Sequence, residues 1–381
     1  MKRAAGTSAL PDRQEPPLAL IAAGGTGGHL FPAQALGEVL RSRGWRLALA
    51  TDERVDAFSV EFPAEAIITL PAATIRRGRP WSAVSASLTI SRGLLKGRAA
   101  VRQLRPAVVV GFGGYPSVPG LLAGITCGAP TLIHEQNAVF GRANRFLAPW
   151  VSQVATGFDV LEKASPRVLA SRVVVGNPVR PAILALLGQG YVPPADDIHV
   201  LVTGGSQGAR LISERVPRAL AALPAALRSR LRVEQQTRPE SLERASQIYA
   251  DAGISAELAP FFRDMAARLA RAHLVFGRAG ASTVTELTIA GRPSILTPLG
   301  IALDNDQGRN ALVLVAAGAA MVVPEGELTG AAFAAELTEL LGDSRRLAGL
   351  AAAAASLARP DAAERLADVV ERTAGVTPAR R

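Results

Sequence analysis

Short, largely apolar runs recur along the chain, each followed by glycine or polar residues and then by a helical pattern. In the first half they are LALIAA at 18–23, LALA at 47–50, AVVV at 107–110, TLI at 131–133, VSQVA at 151–155 and VVV at 173–175. In the second half they are IHVLVT at 198–203, LRV at 231–233, LVF at 274–276, PSIL at 293–296 and MVV at 321–323. Apolar residues without alternation mark strands buried on both faces, and strands alternating with helices mark parallel sheets built from βαβ units. So many strands fit two sheets better than one. The break falls at 176–181, where Gly176, Pro178 and Pro181 end the first series. Residues 347–357 and 360–373 read as helices, the second with Asp361 in its first turn and an apolar stripe of Leu366, Val369 and Val370. The expected class is α/β, with two Rossmann-like domains whose parallel sheets face each other across a cleft.

Two of these strands run into glycine turns of similar make: GGTGGH at 24–29 and GGSQGAR at 204–210. A buried strand feeding a glycine turn and a helix presents backbone N–H groups and a positive helix end to a phosphate. Neither turn has the G-x-G-x-x-G spacing of a dinucleotide site, since Leu30 and Ser206 stand where glycines belong. Asp52 stands where a ribose-binding acid could lie, yet hydride transfer is disfavoured. No G-K-[ST] follows either turn, so neither is a P-loop.

Composition narrows the partners. The 381 residues are 49% apolar with a single cysteine, Cys127, which rules out an internal disulfide framework and fits a reducing compartment. No stretch reaches the roughly 18–20 apolar residues of a membrane-spanning helix. Residues 1–16 are polar and Pro-rich, without the layout of a signal peptide, and read as a disordered tail. A formal charge of +10 calls for an anionic partner, or reflects an arginine-rich genome. Aromatic residues make up only 4%, and no signature of nucleic-acid binding is present, so nucleic acid is not expected. An anionic membrane face and a phosphorylated substrate remain. Ile75, Arg76, Arg77, Arg79 and Trp81, continuing through Leu88, Arg92, Leu95 and Lys96, mix cations with apolar residues in the manner of a membrane-surface patch. No cluster has metal-ligand spacing, and no cofactor is expected.

The chemistry-bearing residues come directly after strands. His29 stands at a helix start beside Gly27 and Gly28, where the positive helix end favours a neutral ring. FGGYPS at 112–117, with Gly113, Gly114 and Tyr115, follows one strand. HEQN at 134–137 follows another and offers Glu135 as a second general base and Asn137 as a hydroxyl reader. A cluster that merely caps a helix is the alternative there. In the second half, GRAGASTVTEL at 277–287 repeats strand, glycine turn and helix. Its N–H groups, with Ser282 and Thr283, suit a diphosphate, and Glu286 suits the two hydroxyls of a ribose. The acid- and amide-rich segment 304–310 reads as a sugar-binding loop.

Taken together, GGTGGHLFPA at 24–33, GFGGYPSVP at 111–119, HEQNAVFGRANR at 134–145, GNPVR at 176–180, GGSQGAR at 204–210, GRAGASTVTEL at 277–287 and DNDQGRNA at 304–311 resemble the MurG family, in order and over nearly the whole chain. Members are N-acetylglucosaminyltransferases that complete the lipid-linked peptidoglycan precursor. The resemblance implies a GT-B fold: residues 17–178 as the acceptor and membrane-facing domain, 179–359 as the UDP-GlcNAc domain, and 360–374 crossing back to the first. It implies inverting transfer of GlcNAc from UDP-GlcNAc to the C4 hydroxyl of undecaprenyl-diphosphate-linked muramoyl-pentapeptide.

By the same resemblance, Thr26, Gly27, Gly28, Asn137, Arg180, Ser206, Gln207, Ser282, Thr283, Glu286 and Gln307 contact the donor. Gly24, Gly25, Gly113, Gly114 and Tyr115 face the acceptor, and His29 is preferred to Glu135 as base. Asp306 departs from the family, where His or Gln is common, and a carboxylate there cannot donate to a sugar hydroxyl. The setting implied is peripheral, on the cytoplasmic face of the inner membrane, with anionic lipids and other wall-assembly proteins as partners. A UDP-GlcNAc 2-epimerase of the same fold and a non-catalytic membrane scaffold are the rival readings.

Overall fold

The structure is a computed structural model that describes residues 15–24, 27–53, 62–72, 80–205, 209–300 and 304–376, with only the backbone of 80–87. Its strands are β1 (Leu18–Ala22), β2 (Arg46–Thr51), β3 (Ala66–Thr69), β4 (Val108–Gly111), β5 (Thr131–Glu135), β6 (Gln153–Thr156) and β7 (Val173–Val174) in the first half. The second half contributes β8 (Ile198–Thr203), β9 (Leu231–Gln236), β10 (Ser255–Ala259), β11 (Leu274–Gly277), β12 (Ser294–Leu296) and β13 (Ala320–Val322). They form a seven-stranded sheet in the order β3-β2-β1-β4-β5-β6-β7 and a six-stranded sheet in the order β10-β9-β8-β11-β12-β13. Every strand pair is parallel; Leu20, for example, lies opposite Ala48 on one side and Val109 on the other.

The strand order reverses beside β1 in the first sheet and beside β8 in the second. Open α/β sheets bind ligands at the carboxyl ends of strands flanking such a switch point. The glycine segments after β1, β4, β8 and β11 all stand there. Each sheet is buried on both faces. Ile21, Val110 and Leu132 face one apolar layer of the first sheet, and Leu20, Val109 and Ile133 face the other. The helices Gly27–Ser42, Val118–Cys127 and Ala281–Ala290 start directly after the site-bearing segments.

Edge strands β3 and β10 escape the apolar-run signal because they are half exposed: burial along them never becomes complete. The segment 304–310 departs from the expected loop. Helix Asp306–Ala316 begins inside it, capped by Asn305 in a left-handed conformation, φ 51°. Gly308 makes that turn possible, since a Cβ there would lie 2.4 Å from Asn305 Oδ1. His134 and Glu135 likewise end strand β5 rather than following it.

The last helix, Ala362–Ala374, packs on the first sheet rather than the second. Leu366, Ala367, Val369 and Val370 join Ile21, Leu36, Leu40 and Val110 in one apolar layer. Its polar side is pinned as well. Arg43 donates to Asp368 (2.7 Å) and to the buried Glu371 (2.9 Å), and Trp45 Nε1 donates to Glu371 (3.3 Å). Gly176 (φ +94°) lets this helix begin against segment 176–181, the crossing segment between the two halves, because a Cβ there would lie 2.9 Å from Ala362 Cβ.

Candidate active site

A cavity of about 670 Å³ lies between the two halves. From the first half it is lined by Gly27, Gly28, His29, Phe31, Gln136 and Asn137, and from the second by Ser282, Thr283, Glu286 and Gln307 among others. Two helix starts, Gly27 and Ala281, open into it from opposite sides. They touch: Ser282 Oγ donates to the carbonyl of Gly28 at 3.2 Å. Both helix ends carry unpaired N–H groups and positive dipole ends, so an anion between them is favoured from both sides.

Arg180, on the crossing segment, brings a cation to the same place. Its Nη2 donates to Glu286 Oε1 at 2.9 Å, and its guanidinium lies 4.2 Å from the centre of the Phe31 ring. Burial pushes the Glu286 carboxyl above its ordinary value, against the pull of Arg180. Gln307, in the first turn of its helix, is oriented by a bond from Leu299 N–H to its Oε1 (3.1 Å). The wall beyond Glu286 is aromatic: Phe261 and Phe262 line it, and the Arg268 guanidinium lies 3.7 Å from the centre of the Phe262 ring.

His29 is half-buried at the other end. Gly113 (φ +79°) and Gly114 (φ +69°) make the turn that passes its ring, and a Cβ on Gly114 would lie 3.1 Å from His29 Nε2. These two glycines therefore shape the space around the imidazole and do not line the cavity themselves. Gly24 is packed under Pro116, and Tyr115 sits half-buried in the short turn Tyr115–Ser117.

Glu135 is the largest correction. It is 3% exposed and outside the cavity lining. Its carboxylate accepts from Asn137 N–H (3.0 Å), Asn137 Nδ2 (3.1 Å), Gly141 N–H (2.9 Å) and Asn144 Nδ2 (2.7 Å). Burial pushes the carboxyl up while those bonds favour the charged form. A carboxylate so engaged ties down its own loop and has no free lone pair to take a substrate proton. Asn137 is committed too: its Nδ2 serves Glu135, and its Oδ1 accepts from Asn310 Nδ2 at 3.0 Å.

Gly25, Thr26, Ser206, Gln207, Ile75, Arg76, Arg77 and Arg79 lie outside the described residues, and of Trp81 only its place in helix Pro80–Leu104 is described. Sequence reading passed over Phe31, Arg278, Glu325 and the Phe261–Phe262 pair, all lining the cavity. Phe31 and Arg278 stand inside recognised motifs, where their closeness to the turn glycines is a signal that could have found them. Phe261 and Phe262 lie in an irregular segment and Glu325 in a single 3-10 turn, Glu325–Glu327, neither with a pattern of its own.

Residues 19–156 match the glycosyltransferase family 28 N-terminal domain, and residues 199–366 match the family 28 C-terminal domain. The UDP-N-acetylglucosamine–N-acetylmuramyl-(pentapeptide) pyrophosphoryl-undecaprenol N-acetylglucosamine transferase of Phenylobacterium zucineum is 59% identical over 358 residues, 93% of this chain and 98% of its own. The chain belongs to the MurG family. The transferase of the same name from Methylobacterium sp. strain 4-46 is 55% identical over 94% of this chain and 97% of its own. The crystal structure of Acinetobacter baumannii MurG, at 30% identity, superposes with a TM-score of 0.73 and covers 94% of this chain and 99% of that one. This MurG-family chain is thus a glycosyltransferase of GT-B architecture whose cavity is built from both family 28 domains.

Proposed function

We propose that the chain transfers N-acetylglucosamine from UDP-GlcNAc to the C4 hydroxyl of lipid-linked N-acetylmuramoyl-pentapeptide, with inversion, to complete the lipid-linked disaccharide. The observation that carries this reading is the single cavity shared by His29 of the first half and Ser282, Thr283 and Glu286 of the second. Residues 179–359 hold the donor. The N–H groups at the start of helix Ala281–Ala290, with Ser282 and Thr283, take the diphosphate. Glu286 takes the ribose hydroxyls and Gln307 the sugar hydroxyls. Residues 17–178, with 360–374, hold the acceptor, and residues 1–16 are a tail.

His29 is the base. It accepts the proton of the acceptor hydroxyl as that oxygen bonds to the anomeric carbon; the anomeric C–O bond to UDP breaks, and its electron pair stays on the β-phosphate. The two facing helix ends and Arg180 stabilise that charge as it grows. Glu135 is a positioning group, because its carboxylate organises the loop that carries Asn137.

The acceptor lipid places the protein on a membrane, peripherally at the cytoplasmic face. Among the described residues no helix is long and apolar enough to cross one. Helix Pro80–Leu104 exposes Leu88 (54%) and Leu95 (68%). Arg92, Lys96 and Arg102 are exposed beside them, a mixture suited to anionic lipid. Other wall-assembly proteins are its natural neighbours there. The test is product analysis with UDP-[¹⁴C]GlcNAc and lipid-linked muramoyl-pentapeptide. A labelled lipid-linked disaccharide is expected. Free 2-epimerised sugar without transfer would replace this reading with that of an epimerase.

A further inference from the structure

Asp304 stands three residues before Gln307, and three cations of the first half converge on it. Its Oδ2 accepts from Arg142 Nε at 2.8 Å, and its Oδ1 accepts from Lys163 Nζ at 2.7 Å and Arg145 Nη2 at 3.3 Å. The carboxylate side chain is only 20% exposed. Backbone strain is stored on both sides of this contact, since Lys163 (φ +61°) and Asn305 (φ +51°) occupy the left-handed region without being glycine. Six residues further on, the buried Asn310 makes a second attachment to the first half: its Oδ1 accepts from Ala138 N–H (2.9 Å) and its Nδ2 donates to Asn137 (3.0 Å). Gln307 lies between these two attachments and lines the cavity.

We propose that Asp304 is a positioning residue: its ion cluster clasps the sugar-reading turn of the second half to the first half and so sets Gln307 against His29. The inference rests on the transfer reading given under Proposed function. Asp304 touches neither substrate; it acts through the turn it anchors. The attraction spans two halves joined also by the ion pairs Arg309–Glu162 (3.1 Å) and Arg359–Asp159 and by neutral hydrogen bonds such as Asn177 to Thr285 (3.2 Å); the partly exposed ion cluster is weakened by salt where the neutral bonds are not.

The test compares Asp304→Asn, Asp304→Glu, Lys163→Ala and the double variant Asp304→Asn/Lys163→Ala, all in the full chain. Asp304→Asn is expected to lower kcat/KM for UDP-GlcNAc by about tenfold, while affinity for UDP alone and Tm stay near wild type. Lys163→Ala should lower it in the same direction, the double variant should add little to Asp304→Asn, and Asp304→Glu should recover part of the loss. Activity of the wild type should fall with added salt more steeply than that of Asp304→Asn.

Spin labels at Thr126→Cys and Ser356→Cys, in a Cys127→Ser background, give a readout independent of activity. Asp304→Asn should broaden the distance distribution between the two halves. Unchanged kcat/KM, additive losses in the double variant, or an unchanged distance distribution would overturn the clasp. An inactive wild type would count against the transfer reading alone, and the label distances would still decide the clasp.

Discussion

His29 faces the cavity across the first turn of its helix, and the Gly113–Gly114 turn passes its ring closely with no side chain to crowd it. In the proposed mechanism, removing the imidazole takes away the proton acceptor without touching the donor contacts on the other helix. His29→Ala is therefore expected to lower kcat by about 10²–10⁴-fold with little change in affinity for UDP, read by steady-state kinetics beside calorimetry. Glu286→Ala should do the reverse, weakening UDP binding while leaving the fold intact. Loss of UDP affinity in both variants, or in neither, would refute this division of labour.

His134 is a second histidine with a different role. It is fully buried at the end of β5, its Nε2 bonds Gly176 O at 3.0 Å, and burial holds its pKa down at about 4. Its neutral form is the one that folds. The stability it contributes is complete above about pH 6.5 and is lost as pH falls from there through about 4, roughly 3 kcal/mol in all. His134→Gln should remove that slope from urea midpoints measured between pH 7 and 4, whatever its effect at neutral pH. The glycine motifs pointed in the sequence to His29, Ser282 and Glu286, and all three line the cavity. Glu135 misled because polar residues after a buried strand suggest a cleft, and here they satisfy one another inside a loop.

At the scale of elements, the last helix closes the first sheet through an apolar face and one buried carboxylate. Glu371, 2% exposed, receives Arg43 and Trp45. Glu371→Ala leaves Arg43 with Asp368 and the Glu364 carbonyl, and Trp45 Nε1 without its acceptor. The expected cost is about 3 kcal/mol, read by denaturant unfolding with Trp fluorescence as the signal. A cost within about 0.5 kcal/mol would show that the apolar face alone seats the helix. The amphipathic stripe predicted this helix, but only the resemblance said where it would dock, because a stripe does not name its partner. Fully buried strands were equally legible. The half-exposed edges β3 and β10 were not, because their side chains carry too little of the apolar signal.

The whole molecule joins two family 28 domains across a shared cavity, and the proposed reading gives the first the lipid-linked acceptor and the second the UDP-sugar. Excess positive charge, +10 overall, is expected to bring it to anionic vesicles and not to neutral ones, with release by salt in a flotation assay. Equal binding to both vesicle types would make the apolar contact dominant. Two domains were readable from the recurrence of strand and glycine turn; the single cavity between them was not, since nothing local in a sequence reports which loops meet. The most direct test of the central claim is the anomeric configuration of the disaccharide formed from UDP-GlcNAc and lipid-linked muramoyl-pentapeptide, determined by NMR. Direct attack within one cavity predicts a β-linked GlcNAc made by the wild type and lost in His29→Ala. An α-linked product, or transfer undiminished in that variant, would contradict it.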